Sequence, residues 1–231
     1  MCYTYGDNLK EVPVETFDVD LIIFDLDGTL IDSSEDIAWA ANMALADLGH
    51  EKIDSERVKE GIGWGVKSLL EKMMPGEGTD RIEYARIKFL EYYWEHSVVS
   101  TYPYPGVRET LEYFNQKNTK MAVVTNKPFK FSEKILKDFG LLSFFRIILG
   151  GDSVFNRKPH PEPVVKVIAS LDVKKDRAVI VGDSPVDCEA GKRAGIATVG
   201  VEYGFRSRKE LEDAGCDIII SEFTDLKRII S

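Results

Sequence analysis

The sequence is poor in cysteine and has no segment typical of a secreted protein. Only three of its 231 residues are cysteine, at positions 2, 188 and 216. The cysteines are odd in number and are not spaced like metal ligands, and no secretory hydrophobic segment precedes them. These features predict a reducing, cytoplasmic setting, in which Cys188 is a small packed residue.

Long apolar runs and an excess of positive charge are also missing. The longest apolar runs, such as Ile218 to Ile220, have the length of a strand, whereas a membrane-spanning helix needs about 20 residues. Acidic residues outnumber basic ones by 39 to 30, which gives a formal charge of −9. Nucleic acids and acidic membranes attract basic surfaces, so we expect neither as a partner.

The sequence does contain a repeating pattern of short apolar runs and amphipathic helices from Lys120 onward. This alternation is typical of right-handed βαβ units and predicts an α/β fold with a parallel sheet of about six strands. The predicted strands lie near residues 19–24, 120–125, 145–149, 178–182, 196–200 and 217–220.

The segment 31–100 is helical by periodicity and separates the first strand from the second. Ser33 is expected to cap a helix that runs to about Leu48, with Asp36 in the capping-box position. Further helices are predicted around residues 69–73 and 82–96. The sequence thus predicts an all-helical insertion, 31–100, placed to act as a lid on a core of 1–30 and 101–231. Residues 1–16 are expected to be a loosely docked extension.

Two carboxylates one residue apart, Asp25 and Asp27, follow the first strand. Ligands bind at the carboxyl ends of parallel strands, and two like charges there suit a divalent metal or a pair that shares a proton. Asp and Gly are also ordinary turn residues, so this motif alone leaves a simple turn open.

Three later strand ends carry further polar residues. The side chains of Thr125 and Asn126 are suited either to bind a phosphate oxygen or to cap the N-terminus of a helix. Lys158 precedes a proline-rich entry to a helix, and these prolines fix the direction of the lysine side chain. Asp183 and Asp187 follow the strand near 178–182, and oxygen-rich sites of this kind suit Mg²⁺. All four signals are expected at one edge of the sheet, which makes them jointly much stronger than any one alone.

These motifs resemble the haloacid dehalogenase-like superfamily of phosphohydrolases. Within it the chain is most similar to the phosphoglycolate phosphatase-like branch, through Tyr104-Pro105-Gly106-Val107, Lys158-Pro159-His160-Pro161-Glu162-Pro163, and Tyr203-Gly204-Phe205-Arg206 with Ala214-Gly215-Cys216-Asp217. The resemblance covers the chain from about residue 19 and implies a Rossmann-like, three-layer α/β/α core with a helical cap. Its core motifs are Asp25-Leu26-Asp27-Gly28-Thr29, Thr125-Asn126, Lys158-Pro159 and Gly182-Asp183-Ser184-Pro185-Val186-Asp187.

The resemblance also implies the chemistry. Asp25 is the implied nucleophile, which forms an aspartyl-phosphate, and Asp27 is the implied general acid and base. Mg²⁺ is implied as the cofactor, bound by Asp25, the backbone carbonyl of Asp27, and Asp183. Asp187 would support the metal site or hold Lys158.

Phosphate binding and the substrate follow from the same resemblance. Thr125, Asn126 and Lys158 are the implied contacts of the phosphoryl oxygens. The expected partner is a small phosphorylated metabolite, with 2-phosphoglycolate favoured, and the protein is expected to be a monomer or homodimer. Independently of the resemblance, three glycines at positions 61, 63 and 65 allow the backbone to approach a ligand closely, so Gly63 and Lys67 in the cap are candidates for substrate recognition, with Lys67 suited to a substrate carboxylate. An ordinary connection between two helices with a solvated lysine is the alternative. Arg206 and Arg208 are further cationic candidates.

Other activities remain open. Asp27 argues against a dehalogenase, which attacks carbon and needs no acid for a departing ester oxygen. A phosphosugar mutase shares both aspartates, although such enzymes often have Val where this chain has Thr29. Pyrophosphatase, nucleotide phosphatase and a non-catalytic phosphate-binding regulator are the remaining alternatives. The presence of the implied nucleophile Asp25 argues against the last.

Overall fold

A central parallel sheet of six strands forms the core of the protein. The computed structural model describes residues 16–231, so the predicted extension lies outside the described residues except for Thr16. The strand order is β5-β4-β1-β6-β7-β8. The sheet strands are β1 (Leu21–Phe24), β4 (Lys120–Val124), β5 (Ile147–Leu149), β6 (Ala178–Gly182), β7 (Ala197–Val201) and β8 (Ile218–Ile220), and a separate antiparallel pair consists of β2 (Ile31–Asp32) and β3 (Tyr102–Pro103).

Helices cover both faces of this sheet and also make up the segment between β2 and β3. The helices are α1 (Ser34–Ala46), α2 (Ser55–Lys59), α3 (Val66–Met73), α4 (Thr79–His96), α5 (Val107–Gln116), α6 (Phe129–Asp138), α7 (Glu162–Ser170), α8 (Pro185–Ala194), α9 (Arg208–Asp213) and α10 (Leu226–Ile229). None of the helices within residues 16–231 combines the length and the apolar character needed to cross a membrane.

Side chains along the buried strands point alternately to the two faces of the sheet, and the helices packed on each face complete the three layers. Leu21 and Ile23 of β1 pack in a cluster with α7 and α8, whereas Ile22 and Phe24 pack in a second cluster with α5 and α6. Successive side chains of a strand point to opposite faces, so a strand that is apolar throughout is buried on both. The predicted α/β fold with its six-stranded, Rossmann-like parallel sheet is therefore confirmed.

The short strands β2 and β3 mark where the chain leaves the core and returns to it. The capping box predicted at Ser33 is wrong, because Ser33 makes no cap hydrogen bond and its hydroxyl instead donates to Asp27. Asp36 is fully buried and accepts hydrogen bonds from the backbone N–H groups of Val99, Ser100 and Thr101. It therefore ties the start of α1 to the segment that returns from α4.

A disulfide joins Cys188 in α8 to Cys216, with a Cα–Cα distance of 5.3 Å. Cys188 is buried, as expected, but a reducing setting does not predict its bond to Cys216. The two residues meet because α8 packs beside α9 and because the chain turns between α9 and β8. Nothing in the spacing of the cysteines reveals this proximity. Cys2 lies outside the described residues.

Candidate active site

Strand register places the predicted polar residues at one edge of the sheet. Phe24 at the end of β1 pairs with Val123 of β4 on one side and with Val181 of β6 on the other. The residues that follow these strands, including Asp25, Thr125 and Asp183, therefore emerge next to one another, as expected for carboxyl ends of neighbouring parallel strands.

Three buried aspartates form a compact acidic cluster at this edge. Oxygens of Asp25, Asp183 and Asp187 all lie within 4.8 Å of one another. The ammonium of Lys158, also buried, donates to Asp25 at 2.8 Å and to Asp187 at 2.6 Å. Asp187 in turn accepts a hydrogen bond from the Ser184 hydroxyl at the start of α8. The side chain of Asp187 thus holds Lys158, one of the two roles implied by the resemblance.

Burial controls the protonation of this cluster. It raises the pKa of Asp25 to about 6, against the opposing effect of the Lys158 ammonium. It also raises the pKa of Asp183 well above its ordinary value, and the charges of Asp187 and Asp25 act in the same direction. Burial alone would lower the pKa of Lys158, but the two carboxylates that it contacts raise it, so the lysine is charged at neutral pH.

The donor set of the cluster suits a divalent cation. Three carboxylates share one ammonium, so two negative charges remain uncompensated if all three ionise, and burial makes that state unfavourable without a further cation. Hard divalent cations prefer oxygen ligands of this kind. The residues present therefore fit a divalent metal held by Asp25 and Asp183.

Two glycines allow the approach of the backbone to Asp183. A Cβ on Gly28 would lie 2.2 Å from the Asp183 carboxylate, and one on Gly204 would lie 2.3 Å from the Cβ of Asp183. The backbone N–H of Phe205 donates to the same carboxylate at 2.8 Å. Any other residue at either glycine would displace Asp183 from this position.

Asp27 lies apart from the acidic cluster and has its own lysine. The ammonium of Lys127 donates to both carboxylate oxygens of Asp27, at 2.8 and 3.0 Å, and the Ser33 hydroxyl donates to one of them at 2.6 Å. Lys127 is buried, and its ammonium lies 4.5 Å from the ring centroid of Tyr93 in α4. Lys127 was not among the predicted site residues. Its one signal in the sequence is its position directly after the predicted Thr125 and Asn126.

Thr125 and Asn126 lie at the edge of the sheet, as predicted, but Asn126 contacts other partners than phosphate. Its amide nitrogen donates to the carbonyls of Gly63 and Lys158, at 2.8 and 2.9 Å. In this structure the side chain therefore connects the cap loop to the loop of Lys158, instead of offering a free donor to phosphate. Its other amide atom, Oδ1, is buried without a hydrogen-bond partner. Thr125 is buried in the wall of the site.

The loop between α2 and α3 closes over the strand ends, and Arg206 holds it there. The buried guanidinium of Arg206 donates to the carbonyls of Lys59, Glu60 and Ile62, at 3.0 to 3.1 Å for the first two and 2.8 Å for the third. Arg206 follows Phe205, whose N–H contacts Asp183. In this structure the guanidinium thus binds backbone carbonyls, and substrate binding by Arg206 stays a prediction.

A small cavity of about 40 Å³ lies between the cap and the strand ends. Polar groups line its core side, and apolar side chains from the cap line most of the rest. Its walls include Asp25, Asp27, Gly63, Phe89, Tyr93, Thr125, Asn126, Lys127 and Phe131.

Two predicted cations lie away from this cavity. Lys67 is in the first turn of α3 with its side chain 53% exposed, and its nearest ion-pair partner is Glu71 at 3.8 Å. In this structure Lys67 therefore faces solvent outside the cavity, and its contact with the substrate stays a prediction. The three glycines before it suggested close approach, but the helix that begins at Val66 turns the lysine outward. Arg208 is also exposed and pairs with Glu202 and Glu212. Gly63, in contrast, lines the cavity.

The geometry of the site agrees with the comparison with known proteins. Residues 22–201 match the haloacid dehalogenase-like hydrolase family, and the chain therefore belongs to that family. The predicted family is thus confirmed.

Similar proteins narrow the comparison to one branch of the family. A phosphoglycolate phosphatase of Aquifex aeolicus is 41% identical over 210 residues, which cover 91% of this chain and 96% of that protein. One from Vibrio parahaemolyticus is 34% identical over 93% of this chain and 97% of its own length. A crystal structure of a predicted phosphoglycolate phosphatase from Haemophilus somnus superimposes with a TM-score of 0.86 at 34% identity, covering 91% and 97% of the two chains.

Proposed function

We propose that this protein is a Mg²⁺-dependent phosphatase that hydrolyses 2-phosphoglycolate through an aspartyl-phosphate on Asp25. The observation that carries the proposal is the pairing of Asp25 with Lys158 beside two further carboxylates, next to a separate carboxylate, Asp27. This arrangement provides a nucleophile, a cation for the phosphoryl group and an acid. Similarity to the phosphoglycolate phosphatases of Aquifex aeolicus and Vibrio parahaemolyticus supports 2-phosphoglycolate as the substrate.

In the first half of the reaction, an oxygen of Asp25 attacks phosphorus and the bond from phosphorus to the ester oxygen breaks. Asp27 gives its proton to the departing oxygen. The ammonium of Lys158 and the hydroxyl of Thr125 stabilise the charge on the phosphoryl oxygens. Mg²⁺ held by Asp25, the Asp27 carbonyl and Asp183 would neutralise the charge that keeps a carboxylate away from phosphate.

In the second half, Asp27 takes a proton from water, whose oxygen attacks phosphorus. The bond between phosphorus and Asp25 breaks, inorganic phosphate leaves, and the Asp25 carboxylate is restored. The cap segment 31–100, which we propose to be a domain separate from the core of 1–30 and 101–231, excludes bulk water during both halves. It must open for substrate to enter a cavity of about 40 Å³.

Phosphate release from a panel of substrates tests the proposal. The panel contains 2-phosphoglycolate, pyrophosphate, nucleoside monophosphates and sugar phosphates, each with and without Mg²⁺. We expect 2-phosphoglycolate to have the highest kcat/KM, and Asp25→Asn to abolish turnover. Asp20→Asn, at an exposed aspartate that pairs with Arg177, is the matched control and should retain activity. Isomerisation of a sugar phosphate without phosphate release would instead indicate a mutase, and phosphate binding without turnover a regulator.

We also propose that the protein acts in the cytoplasm as a monomer or homodimer on a small phosphorylated metabolite. A phosphomonoester is charged and does not cross a bilayer unaided, so the enzyme and its substrate must share a compartment. Cell fractionation with an antibody to the protein tests the location, and sedimentation tests the oligomeric state. Recovery from the extracytoplasmic fraction would contradict the proposal.

A further inference from the structure

The cavity between cap and core contains one cation and one unused hydrogen-bond donor. Within the described residues 16–231, Lys127 is the only cation among the side chains that line it. Tyr93 lines the same cavity from the cap helix α4 and is 2% exposed, and its buried hydroxyl donates to no acceptor in the described part of the chain. A buried hydroxyl without a partner is costly, so its retention points to a ligand that accepts its hydrogen bond.

Neither group is free to move away from the cavity. The ring of Tyr93 packs against Phe89 and Phe131, with a centroid distance of 5.4 Å in each case. The ammonium of Lys127 has three N–H groups, of which two contact the oxygens of Asp27. The ammonium lies 4.5 Å from the centroid of the Tyr93 ring, so its third N–H group faces the cap. Burial raises the pKa of Tyr93 to about 12, so the hydroxyl keeps its proton at neutral pH.

The chemistry of the reaction places a substrate carboxylate at this point. The acid, Asp27, must reach the ester oxygen, and in a phosphorylated 2-hydroxy acid the carboxylate carbon is two bonds from that oxygen. The substrate carboxylate must therefore lie beside Asp27. Once Asp27 has given its proton to the ester oxygen, the two carboxylates repel each other there unless a cation contacts both. The ammonium of Lys127, already bonded to Asp27, meets that requirement.

We infer that Lys127 and the hydroxyl of Tyr93 form a carboxylate subsite that makes the enzyme select small phosphorylated 2-hydroxy acids. This inference rests on the proposed function and adds the residues that read the substrate. It replaces Lys67, which faces solvent, and Arg206, which is bound to the cap backbone. One residue comes from the core and one from the cap, so the subsite is complete only when the cap is closed.

A pair of substrates that differ only in the carboxylate tests the inference. The measured quantity is the preference, defined as kcat/KM for 2-phosphoglycolate divided by kcat/KM for ethyl phosphate, in Mg²⁺ buffer. Tyr93→Phe removes one hydrogen bond to a charged group and should lower the preference about tenfold, mainly through KM for 2-phosphoglycolate. Lys127→Met should lower it about a hundredfold. It should also slow both substrates, because Asp27 loses its partner.

Matched controls and folding measurements keep the result decisive. Tyr92→Phe, next to Tyr93 in α4, and Lys130→Met, three residues after Lys127 in the first turn of α6, change the same residue types and should leave the preference unaltered. If Lys127→Met does not fold by circular dichroism, the conservative Tyr93→Phe decides alone.

Three results would contradict the inference. If Tyr93→Phe leaves the preference unaltered, the subsite is refuted and the proposed function still stands. The same conclusion follows if every variant loses the same factor in kcat/KM on both substrates. A wild-type enzyme with no preference for 2-phosphoglycolate overturns both.

Discussion

At the scale of residues, each carboxylate that we expect to react has its own buried lysine. Lys158 contacts Asp25, and Lys127 contacts Asp27. A buried ion pair adds little to stability when it is compared with apolar residues of the same size, but removal of one partner leaves a buried charge without compensation. Each lysine therefore compensates the charge of a buried carboxylate, and we expect its removal to affect both the site and the stability of the fold.

The first prediction concerns Lys158. We expect Lys158→Met to lower kcat about a thousandfold, because the phosphoryl oxygens lose a charged donor and the acidic cluster loses its ammonium. Steady-state kinetics with saturating Mg²⁺ measure the effect. The control is Lys166→Met, at an exposed lysine in α7 that contacts only the Ser153 carbonyl. A loss of less than tenfold in Lys158→Met would contradict the assigned role.

The sequence was most informative about residues at the ends of buried strands. Asp25, Thr125 and Asp183 could be located because the chain alternates short apolar runs with helices, and such strands end at one edge. Lys127 was missed because its importance depends on Asp27, which lies 100 residues earlier in the chain. The orientation of Lys67 could not be predicted because the start of α3, which decides it, was not visible in the pattern of apolar residues.

At the scale of elements, Asp36 connects the two ends of the cap segment. It accepts hydrogen bonds from the N–H groups of Val99, Ser100 and Thr101 and from the Thr101 hydroxyl.

The second prediction is that Asp36→Ala lowers the free energy of unfolding by about 2 to 4 kcal/mol, because buried donors at Thr101 lose their acceptor. Urea denaturation measures it, with the neighbouring exposed residue as control. Glu35→Ala should change stability by less than about 0.5 kcal/mol. Equal effects of the two substitutions would show that Asp36 does not hold the segment.

The third prediction concerns the loop between α2 and α3. We expect Arg206→Ala to raise KM about tenfold, because three carbonyls of the closed loop lose a charged donor and the closed cap becomes less populated. Hydrogen exchange of residues 59–65 should accelerate at the same time. Arg208→Ala removes a nearby exposed arginine and should change neither quantity. Unchanged exchange in Arg206→Ala would contradict the idea that this residue holds the loop.

Periodicity located the long elements and failed for the short ones. The predicted strands and the helices α1, α3 and α4 match the structure within a few residues. The five-residue α2 and the two-residue strands β2 and β3 are too short to produce a hydrophobic period. The capping box at Ser33 was misread because the same residue types also form long-range contacts, and here Asp36 binds residues more than 60 positions away.

At the scale of the whole molecule, the acidic cluster links stability to pH and metal. The pKa of Asp25 is raised from 3.8 to about 6, and that of Asp183 is raised as well. Between pH 3.8 and about 6 the metal-free folded protein binds more protons than the unfolded chain. Its free energy of unfolding therefore falls as the pH rises through this range. We expect a divalent cation bound at the cluster to reverse this loss once the carboxylates are ionised.

The fourth prediction follows from that linkage. The increase in Tm on replacing EDTA with Mg²⁺ should be several degrees larger at pH 8 than at pH 5, where protons compete with the metal. Thermal unfolding in both buffers at both pH values measures it. Asp183→Asn removes one ligand and should reduce the Mg²⁺-dependent increase at pH 8. An increase of the same size at both pH values would contradict the assignment of the metal to this cluster.

The central position of β1 has a consequence for the order in which the molecule assembles. Its partners β4 and β6 follow the whole cap segment in the chain. During synthesis the helices α1 to α4 can make their local contacts early, whereas β1, which precedes Asp25, stays unpaired until β4 and then β6 have emerged. The acidic cluster is thus among the last parts to form. A nascent chain that stops before β6 exposes an apolar strand, and self-association competes with folding until synthesis is complete.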